Sequence, residues 1–116
     1  MWEVRTTDRF DKWLAARDDI DRANVVAAMI VLQEKGPRLS RPYADTVKGS
    51  IHKNMKELRV QSKGSPIRAF FAFDPCRVAI LLCAGEKAGK GKRFYSEMIP
   101  AADREFSAHL KNLEER

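Results

Sequence analysis

The sequence contains few of the residues that build metal centres or disulfide frameworks. Its 116 residues include only two cysteines, Cys76 and Cys83, and two histidines, His52 and His109. The seven-residue cysteine spacing matches no zinc pattern, and a reducing compartment would keep both thiols free. We therefore expect both cysteines to be packing residues, and we expect no metal site and no cofactor.

Long apolar runs are also missing. No run approaches the roughly 18 residues needed to span a bilayer, which predicts no membrane association. The first residues, Met1 to Arg5, lack the pattern of a secretory signal, and this predicts a cytoplasmic protein. Hydrophobic residues make up 44% of the chain and charged residues 33%, as in a folded domain. A chain of this length predicts a single domain, 1–116.

Positive charge is concentrated in the middle of the chain. The formal net charge is +6, yet residues 1–34 hold 5 basic and 7 acidic side chains. Residues 35–68 hold 9 basic side chains and only 2 acidic ones. Such a concentrated positive field favours a polyanionic partner, of which nucleic acid is the commonest. The alternative is a basic surface that is merely solvated.

Hydrophobic periodicity and turn residues predict an α+β domain with the element order β-α-α-β-β-β-α. Residues 38–54 contain Pro42, Gly49 and many polar side chains, which predicts an irregular loop long enough to be functional. The predicted elements are an edge strand within 1–6, two helices that begin near 8 and 19 and end before Gly36-Pro37, strands at 56–61, 67–73 and 78–84, a helical turn at 92–98, and a last helix from Pro100.

The lengths of the two predicted hairpin turns suggest a register for the three central strands. A four-residue turn at 62–65 places Arg59 opposite Arg68, and a four-residue turn at 74–77 pairs Phe73 with Val78 and Arg68 with Cys83. One face is then apolar and should pack on the helical hairpin. Its members are Leu58, Val60, Ile67, Ala69, Phe71, Phe73, Val78, Ile80, Leu82 and Ala84. The other face carries Glu57, Arg59, Arg68, Phe70, Leu81 and Cys83.

Two arginines directly opposite one another repel. Either Glu57 neutralises the pair as a structural ion cluster, or an anion such as a phosphate binds there through paired hydrogen bonds. Phe70, two residues from Arg68, either offers a ring for a nucleic-acid base or packs under the last helix.

Two segments carry a resemblance to a known family. Residues 55–59 (MKELR) and 66–73 (PIRAFFAF) resemble the central hairpin of the RelE/HigB toxins, and most closely the phage Gp49-like branch of HigB. Residues 85–87 and 92–97 are similar to the basic segment and tyrosine that follow the last strand in RelE-type enzymes. The resemblance covers the whole chain in length and element order, but it is sharp only over about 40 residues, 55–97.

The resemblance implies a RelE-like microbial RNase fold, a small antiparallel sheet with an N-terminal helical hairpin on one face and a C-terminal helix. It implies the toxin of a type II toxin–antitoxin system, an endoribonuclease that needs no metal. This enzyme would cleave messenger RNA by attack of the 2′-OH, in association with the ribosome, and inhibit translation. The implied partners are messenger RNA, the ribosome and a cognate antitoxin of the helix-turn-helix, HigA-like type.

The same resemblance implies roles for individual residues. Arg68 matches the arginine that contacts the scissile phosphate, and Tyr95 matches the tyrosine that stacks on or orients a base. RelE has a lysine where this chain has Glu57, so the general base is left open between Glu57 and His52. The predicted catalytic set is Arg68, Arg59, Glu57, Lys87 and Tyr95. The predicted RNA-binding set is Lys56, Phe70, Lys90, Lys92, Arg93 and His52.

Two further functions remain open on the sequence. A ParE-like poison of DNA gyrase shares the fold but acts on a protein target. A non-catalytic nucleic-acid-binding phage accessory protein would bind RNA with steep salt dependence and release no cleaved product.

Overall fold

The computed structural model describes residues 1–115, and Arg116, the last residue of the predicted domain, lies outside them. Five strands and three α-helices follow one another along the chain. They are β1 (Val4–Thr6), α1 (Asp8–Ala15), α2 (Asp19–Lys35), β2 (Ala44–Thr46), β3 (Lys56–Ser62), β4 (Ser65–Phe73), β5 (Ala79–Glu86) and α3 (Lys92–Glu114). A short 3-10 turn, Gly36–Arg38, follows α2.

The strands form one sheet in the order β1-β5-β4-β3-β2. Neighbouring strands are antiparallel, except that β1 pairs in parallel with β5. The α+β architecture and the antiparallel centre of the sheet are therefore confirmed. Strand β2 lies inside the segment predicted to be an irregular loop, where its three residues pair with β3.

The ends of the first two helices are fixed by capping residues. The Thr7 hydroxyl accepts a hydrogen bond from the Phe10 amide at 3.1 Å, and the Asp18 carboxylate accepts one from the Asp21 amide at 2.8 Å. Helix α2 ends at Gly36, where φ is +58°. A β-carbon at this position would lie 2.3 Å from the Trp2 ring, so only glycine fits.

The sheet has a hydrophobic core on each face. On the first face, α1 and α2 cover the sheet, and Phe10, Val25 and Leu32 are fully buried. This confirms the helical hairpin on one face. On the second face, α3 buries Phe94 and Phe106 against the sheet. Burying each such side chain contributes about 1.5–3 kcal/mol, so α3 adds to the stability of the fold.

The register between β3 and β4 is confirmed, whereas the register between β4 and β5 is wrong. Arg59 lies opposite Arg68 as predicted. Phe73, however, pairs with Ala79 rather than Val78. Val78 instead closes the turn, because its amide donates to the Asp74 carboxylate at 3.0 Å and its carbonyl accepts from the Asp74 amide at 2.9 Å. The loop is therefore three residues long, which shifts every later pair by one.

A β-bulge displaces the middle of β5 further. Phe71 pairs with Leu81 but Phe70 pairs with Cys83, so Leu82 is the additional residue on β5. Arg68 consequently lies opposite Gly85 rather than Cys83. The predicted faces of β5 are wrong at four positions: Val78, Ile80 and Leu82 pack under α3, and Leu81 packs under the helical hairpin.

Helix α3 is continuous, although Pro100 was predicted to begin it. The predicted helical turn at 92–98 is its N-terminal part, and Pro100 lies within the helix. A proline there removes one backbone hydrogen bond. The buried face formed by Phe94, Ala102 and Phe106 runs along both halves of the helix, and this burial outweighs the lost bond.

The cysteines differ in their environments. Cys83 is buried under α3, and burial raises the pKa of its thiol to about 12. Cys76 is exposed in the turn between β4 and β5, so its prediction as a packing residue is wrong. Across residues 1–115, every helix is too short or too polar to cross a bilayer.

Candidate functional site

Three charged side chains meet where β3 and β4 pass under the start of α3. Glu57 and Arg59 project from the same face of β3, and Arg68 projects from β4 directly opposite Arg59. The Glu57 carboxylate lies 3.7 Å from the Arg59 Nε and 3.8 Å from the Arg68 Nε. The carboxylate therefore neutralises part of the charge of both guanidiniums, but from beyond hydrogen-bond distance.

The two guanidiniums have unused donors in a buried position. Among residues 1–115, the buried Nε atoms of Arg59 and Arg68 have no hydrogen-bond partner. Arg68 is 8% exposed and donates from Nη1 to the carbonyl of Ile67 at 3.1 Å. An unsatisfied buried donor costs about 1–3 kcal/mol, and more when it is charged. An oxyanion that accepted both N–H groups would recover this free energy.

Tyr95 connects α3 to the ion cluster. Its hydroxyl donates a hydrogen bond to Glu57 Oε1 at 2.7 Å, and its ring contacts Phe70 and Phe94 edge-on at 6.1 Å and 5.3 Å between centroids. Burial raises the pKa of Tyr95, and the hydrogen bond to the Glu57 carboxylate raises it further. The phenol therefore stays protonated and fixes the carboxylate. The Lys87 ammonium lies 5.1 Å from the centre of the same ring.

A cleft of about 330 Å³ opens onto this cluster. It is lined by Glu57 and Arg59 of β3, by Lys87 and Tyr95, and by residues of the segment 41–48. Arg68 does not itself line the cleft. It lies behind Glu57, which lines the cleft and forms an ion pair with Arg68. Helix α3 thus covers much of the second sheet face and leaves its rim accessible.

The structure brings together the five residues predicted to be catalytic: Arg68, Arg59, Glu57, Lys87 and Tyr95. Three residues of the predicted RNA-binding set do not line the cleft: Phe70, Lys56 and His52. The prediction of Phe70 as a base-stacking residue is wrong, because its ring is fully buried under Phe94 and Tyr95.

Lys56 lies on a different face from the ion cluster, and its role as an RNA contact stays a prediction. It alternates with Glu57 and so lies on the opposite face of β3, where its ammonium reaches the Thr46 hydroxyl at 3.4 Å. The separation of Lys56 from Glu57 could have been predicted from strand alternation alone, since neighbouring residues along a strand project to opposite faces.

His52 does not reach the ion cluster in this structure. Its Nε2 hydrogen-bonds the Ser107 hydroxyl at 2.9 Å, and its ring packs edge-on against Phe106. These contacts hold His52 against the C-terminal half of α3 rather than at the ion cluster, which contradicts its prediction as the general base; its role as an RNA contact stays a prediction. Glu57 is therefore the better placed candidate base.

The remaining cations of the prediction lie at the start of α3. Lys90, Lys92 and Arg93 are exposed, and Arg93 forms only a loose ion pair with Glu97 at 3.8 Å. They flank the helix turn that carries Tyr95. Their position keeps them available to a polyanion.

Sequence reasoning missed the contribution of the segment 41–48. Arg41 lines the cleft and donates from Nε to Asp45 at 2.9 Å. The hydrogen bond from Arg41 holds the pKa of the Asp45 carboxyl below its usual range. Lys48 lines the same cleft. The concentration of basic residues in this loop was visible in the sequence, but its position beside β3 was not.

Histidine, cysteine and carboxylate side chains stay dispersed over residues 1–115, where no three of them converge as metal ligands would.

Comparison with known proteins shows where the chain belongs. The family model described as phage-derived protein Gp49-like matches residues 12–107. The chain belongs to this family. It is 50% identical over 109 residues to HigB2 of Mycobacterium tuberculosis, which is named as a toxin, and the match covers 93% of this chain and 54% of HigB2. It therefore spans about half the length of that relative.

A second relative matches over most of its length. HigB3 of Mycobacterium tuberculosis, also named as a toxin, is 47% identical over 93 residues, which are 80% of each protein. Together with the Gp49-like match, these relatives place the chain in the RelE/HigB toxin superfamily.

Two solved structures of the Escherichia coli toxin RelE have the same fold. A mutant with two arginine-to-alanine substitutions, in the free state, superposes with a TM-score of 0.60 at 14% identity, over 85% of this chain and 95% of RelE. The isolated toxin gives 0.59 at 15% identity, over 86% and 97%. The predicted RelE-like fold is thereby confirmed.

Proposed function

We propose that this chain is the toxin of a type II toxin–antitoxin system and an endoribonuclease that cleaves messenger RNA and so inhibits translation. Membership of the Gp49-like family and the HigB relatives support the toxin part of the proposal. The single observation that supports the nuclease part is the Arg59–Arg68 pair, whose buried Nε donors lack partners within the described chain.

The residues around that pair can supply the steps of RNA cleavage. RNA carries its own nucleophile, and the enzyme must align the 2′-OH, remove its proton, stabilise charge on phosphorus and protonate the leaving oxygen. In our proposal Glu57 takes the 2′-OH proton, and the 2′ oxygen bonds to phosphorus as the bond to the 5′ oxygen breaks. Lys87 gives its proton to that leaving oxygen. The products are a 2′,3′-cyclic phosphate and a free 5′-OH.

The arginines act on the charge that develops at phosphorus. Arg59 and Arg68 stabilise the additional negative charge through N–H donors that are already oriented by the sheet. Before substrate binds, these guanidiniums face Glu57. When phosphate oxygens replace the carboxylate, Glu57 is released to accept the proton, and the Tyr95 hydroxyl keeps it near the cluster.

The proposed partners follow from the proposed function as an RNA-cleaving toxin. A cognate antitoxin of the helix-turn-helix, HigA-like type would cover the basic cleft, and messenger RNA would be cut in the cytoplasm on the ribosome. Lys90 precedes α3, and Lys92 and Arg93 lie in its first turn; all three are exposed and available to RNA phosphates.

Induction of the chain in growing cells tests the proposal. We expect translation to stop before replication, and primer extension on a reporter message to show new 5′ ends. Arrest of replication with an intact message would instead favour a gyrase poison. RNA binding in vitro without any cleaved message would favour a non-catalytic binding protein. Either result would refute the nuclease proposal.

A further inference from the structure

The segment 41–48 forms one wall of the cleft, although it lies outside the hairpin that carries the family resemblance. Arg41, Thr46 and Lys48 line the cleft together with Arg59 and Lys87. The segment is fixed to the sheet, because the Tyr43 carbonyl accepts a hydrogen bond from the Arg59 amide at 2.8 Å. The cleft therefore has a second wall that is hydrogen-bonded to the sheet.

The charges that line the cleft are unbalanced. Four cations line it, Arg41, Lys48, Arg59 and Lys87, against two carboxylates, Asp45 and Glu57. Asp45 is already occupied by Arg41, through bonds of 2.9 Å from Nε and 2.7 Å from Nη2. Glu57 is shared by Arg59 and the deeper Arg68. No described carboxylate forms an ion pair with Lys48 or Lys87.

The cations fall into two groups. The buried donors of Arg59 and Arg68 mark the position for the phosphate that reacts. Arg41 and Lys48 come from the neighbouring segment and are exposed, and Asp45 holds the Arg41 guanidinium at the rim, with its side chain 74% exposed. A chain of nucleotides that places one phosphate at the first group extends along a cleft where the second group can hold another.

We propose that Arg41 and Lys48 form a second phosphate subsite that binds a nucleotide adjacent to the scissile one. The inference rests on the proposed function and adds residues that hold its substrate outside the reacting phosphate. A cleft of about 330 Å³ is at the small end of ligand pockets and is too small for a duplex. Single strands can enter such a cleft with their bases splayed, whereas a duplex offers only its outer surface.

Binding of an RNA that cannot be cleaved tests the subsite directly. The probe is a six-nucleotide RNA, methylated at every 2′-OH, titrated into the full chain at several salt concentrations. We expect Arg41→Ala and Lys48→Ala each to weaken binding about fivefold. Each should also make the dependence of log K on log salt shallower by about 0.7.

Lys53→Ala is the matched control. Lys53 is exposed in the same connection between β2 and β3 but does not line the cleft. We expect this variant to bind like the wild type. Equal losses in all three variants would show general electrostatic attraction and overturn the subsite. Wild-type binding by both Arg41→Ala and Lys48→Ala, tighter binding of the corresponding duplex, or no binding by the wild type would overturn it as well.

The same experiment separates this inference from the proposed function. The methylated probe has no 2′ nucleophile, so its binding does not depend on cleavage. Selective weakening in Arg41→Ala and Lys48→Ala, with no message cleavage by the wild type in cells, would support the subsite and refute the nuclease. Message cleavage with unchanged probe binding would support the nuclease and refute the subsite.

Discussion

Replacement of Glu57 by glutamine removes the only carboxylate recorded in an ion pair with Arg59 or Arg68 in residues 1–115. The substitution keeps the size of the side chain and an oxygen that can accept the Tyr95 hydroxyl. What changes is the charge opposite two guanidiniums, one of them with a side chain only 8% exposed. The free protein is then left with a buried arginine pair that repels itself.

The size of the effect follows from the geometry. A unit charge about 4 Å from another contributes roughly 4 kcal/mol at an effective dielectric constant near 20, and removing one partner of a buried pair costs about 3–5 kcal/mol. Arg59 is 30% exposed, so solvent screens part of its contribution. We expect Glu57→Gln to lower the free energy of unfolding by about 3 kcal/mol and the Tm by roughly 10 °C.

Urea denaturation with and without inorganic phosphate measures both consequences. Because the variant lacks its internal counter-ion, phosphate should stabilise it more than it stabilises the wild type, with chloride used to match ionic strength. Glu97→Gln is the control, since Glu97 and its partner Arg93 are 60% and 73% exposed, and it should change stability by less than about 1 kcal/mol. If Glu57→Gln unfolds like the wild type, or phosphate stabilises both equally, the arginine pair is not an anion site.

Other predictions concern neighbouring contacts. Tyr95→Phe removes the hydroxyl that orients Glu57 but keeps the ring. Message cleavage in a translation extract should therefore fall about tenfold or more, while the free energy of unfolding drops by only about 1 kcal/mol. Undiminished cleavage would exclude the orienting role. Phe70→Leu should lower unfolding free energy by about 1–2 kcal/mol without weakening binding of methylated RNA, and weakened binding by the folded variant would restore Phe70 as a base contact. Burial raises the pKa of Asp74, but hydrogen bonds from His109 and backbone amides outweigh burial and hold it below its usual range. The stabilisation from the ionised Asp74 carboxylate is present above about pH 4 and is lost as pH falls through its lower folded-state pKa. In urea titrations, His109→Ala should therefore lower the free energy of unfolding less at pH 3 than at pH 6. Equal losses of unfolding free energy at the two pH values would contradict this prediction.

Local signals predicted the elements well. Caps at Thr7 and Asp18 and the glycine at position 36 set the helix ends within a residue or two. The first hairpin was placed correctly because Ser62 and Ser65 pair around Lys63 and Gly64, and this shorter loop keeps Arg59 opposite Arg68. Because the loop is shorter than predicted by one residue on each side, the register between β3 and β4 is unchanged.

The errors arise where distant contacts decide the structure. The second turn has an odd number of residues, because the Asp74 side chain caps it at Val78, and the Leu82 bulge displaces the strand again. Neither is visible in strand alternation. The continuity of α3 through Pro100 and the position of His52 against Ser107 likewise depend on tertiary packing.

The candidate site was predictable in part. Glu57, Arg59 and Arg68 share a face through strand alternation, which the sequence contains. The covering of that face by α3, and the hydrogen bond from Tyr95 to Glu57, require knowledge of where the helix docks. The second wall of the cleft, with Arg41, depends on the pairing of β2 with β3.

Primer extension on a reporter message, after induction of wild type, Arg68→Ala and Arg9→Ala, tests the central claim most directly. Arg9 is the control because it is an exposed arginine of α1 that does not line the cleft and makes only a loose surface ion pair with Glu105 at 4.0 Å. We predict that Arg68→Ala lowers message cleavage about 100-fold or more, while Arg9→Ala cleaves within a few-fold of wild type. Cleavage by folded Arg68→Ala at the wild-type level would show that this guanidinium does not act on the phosphate, and would contradict the account.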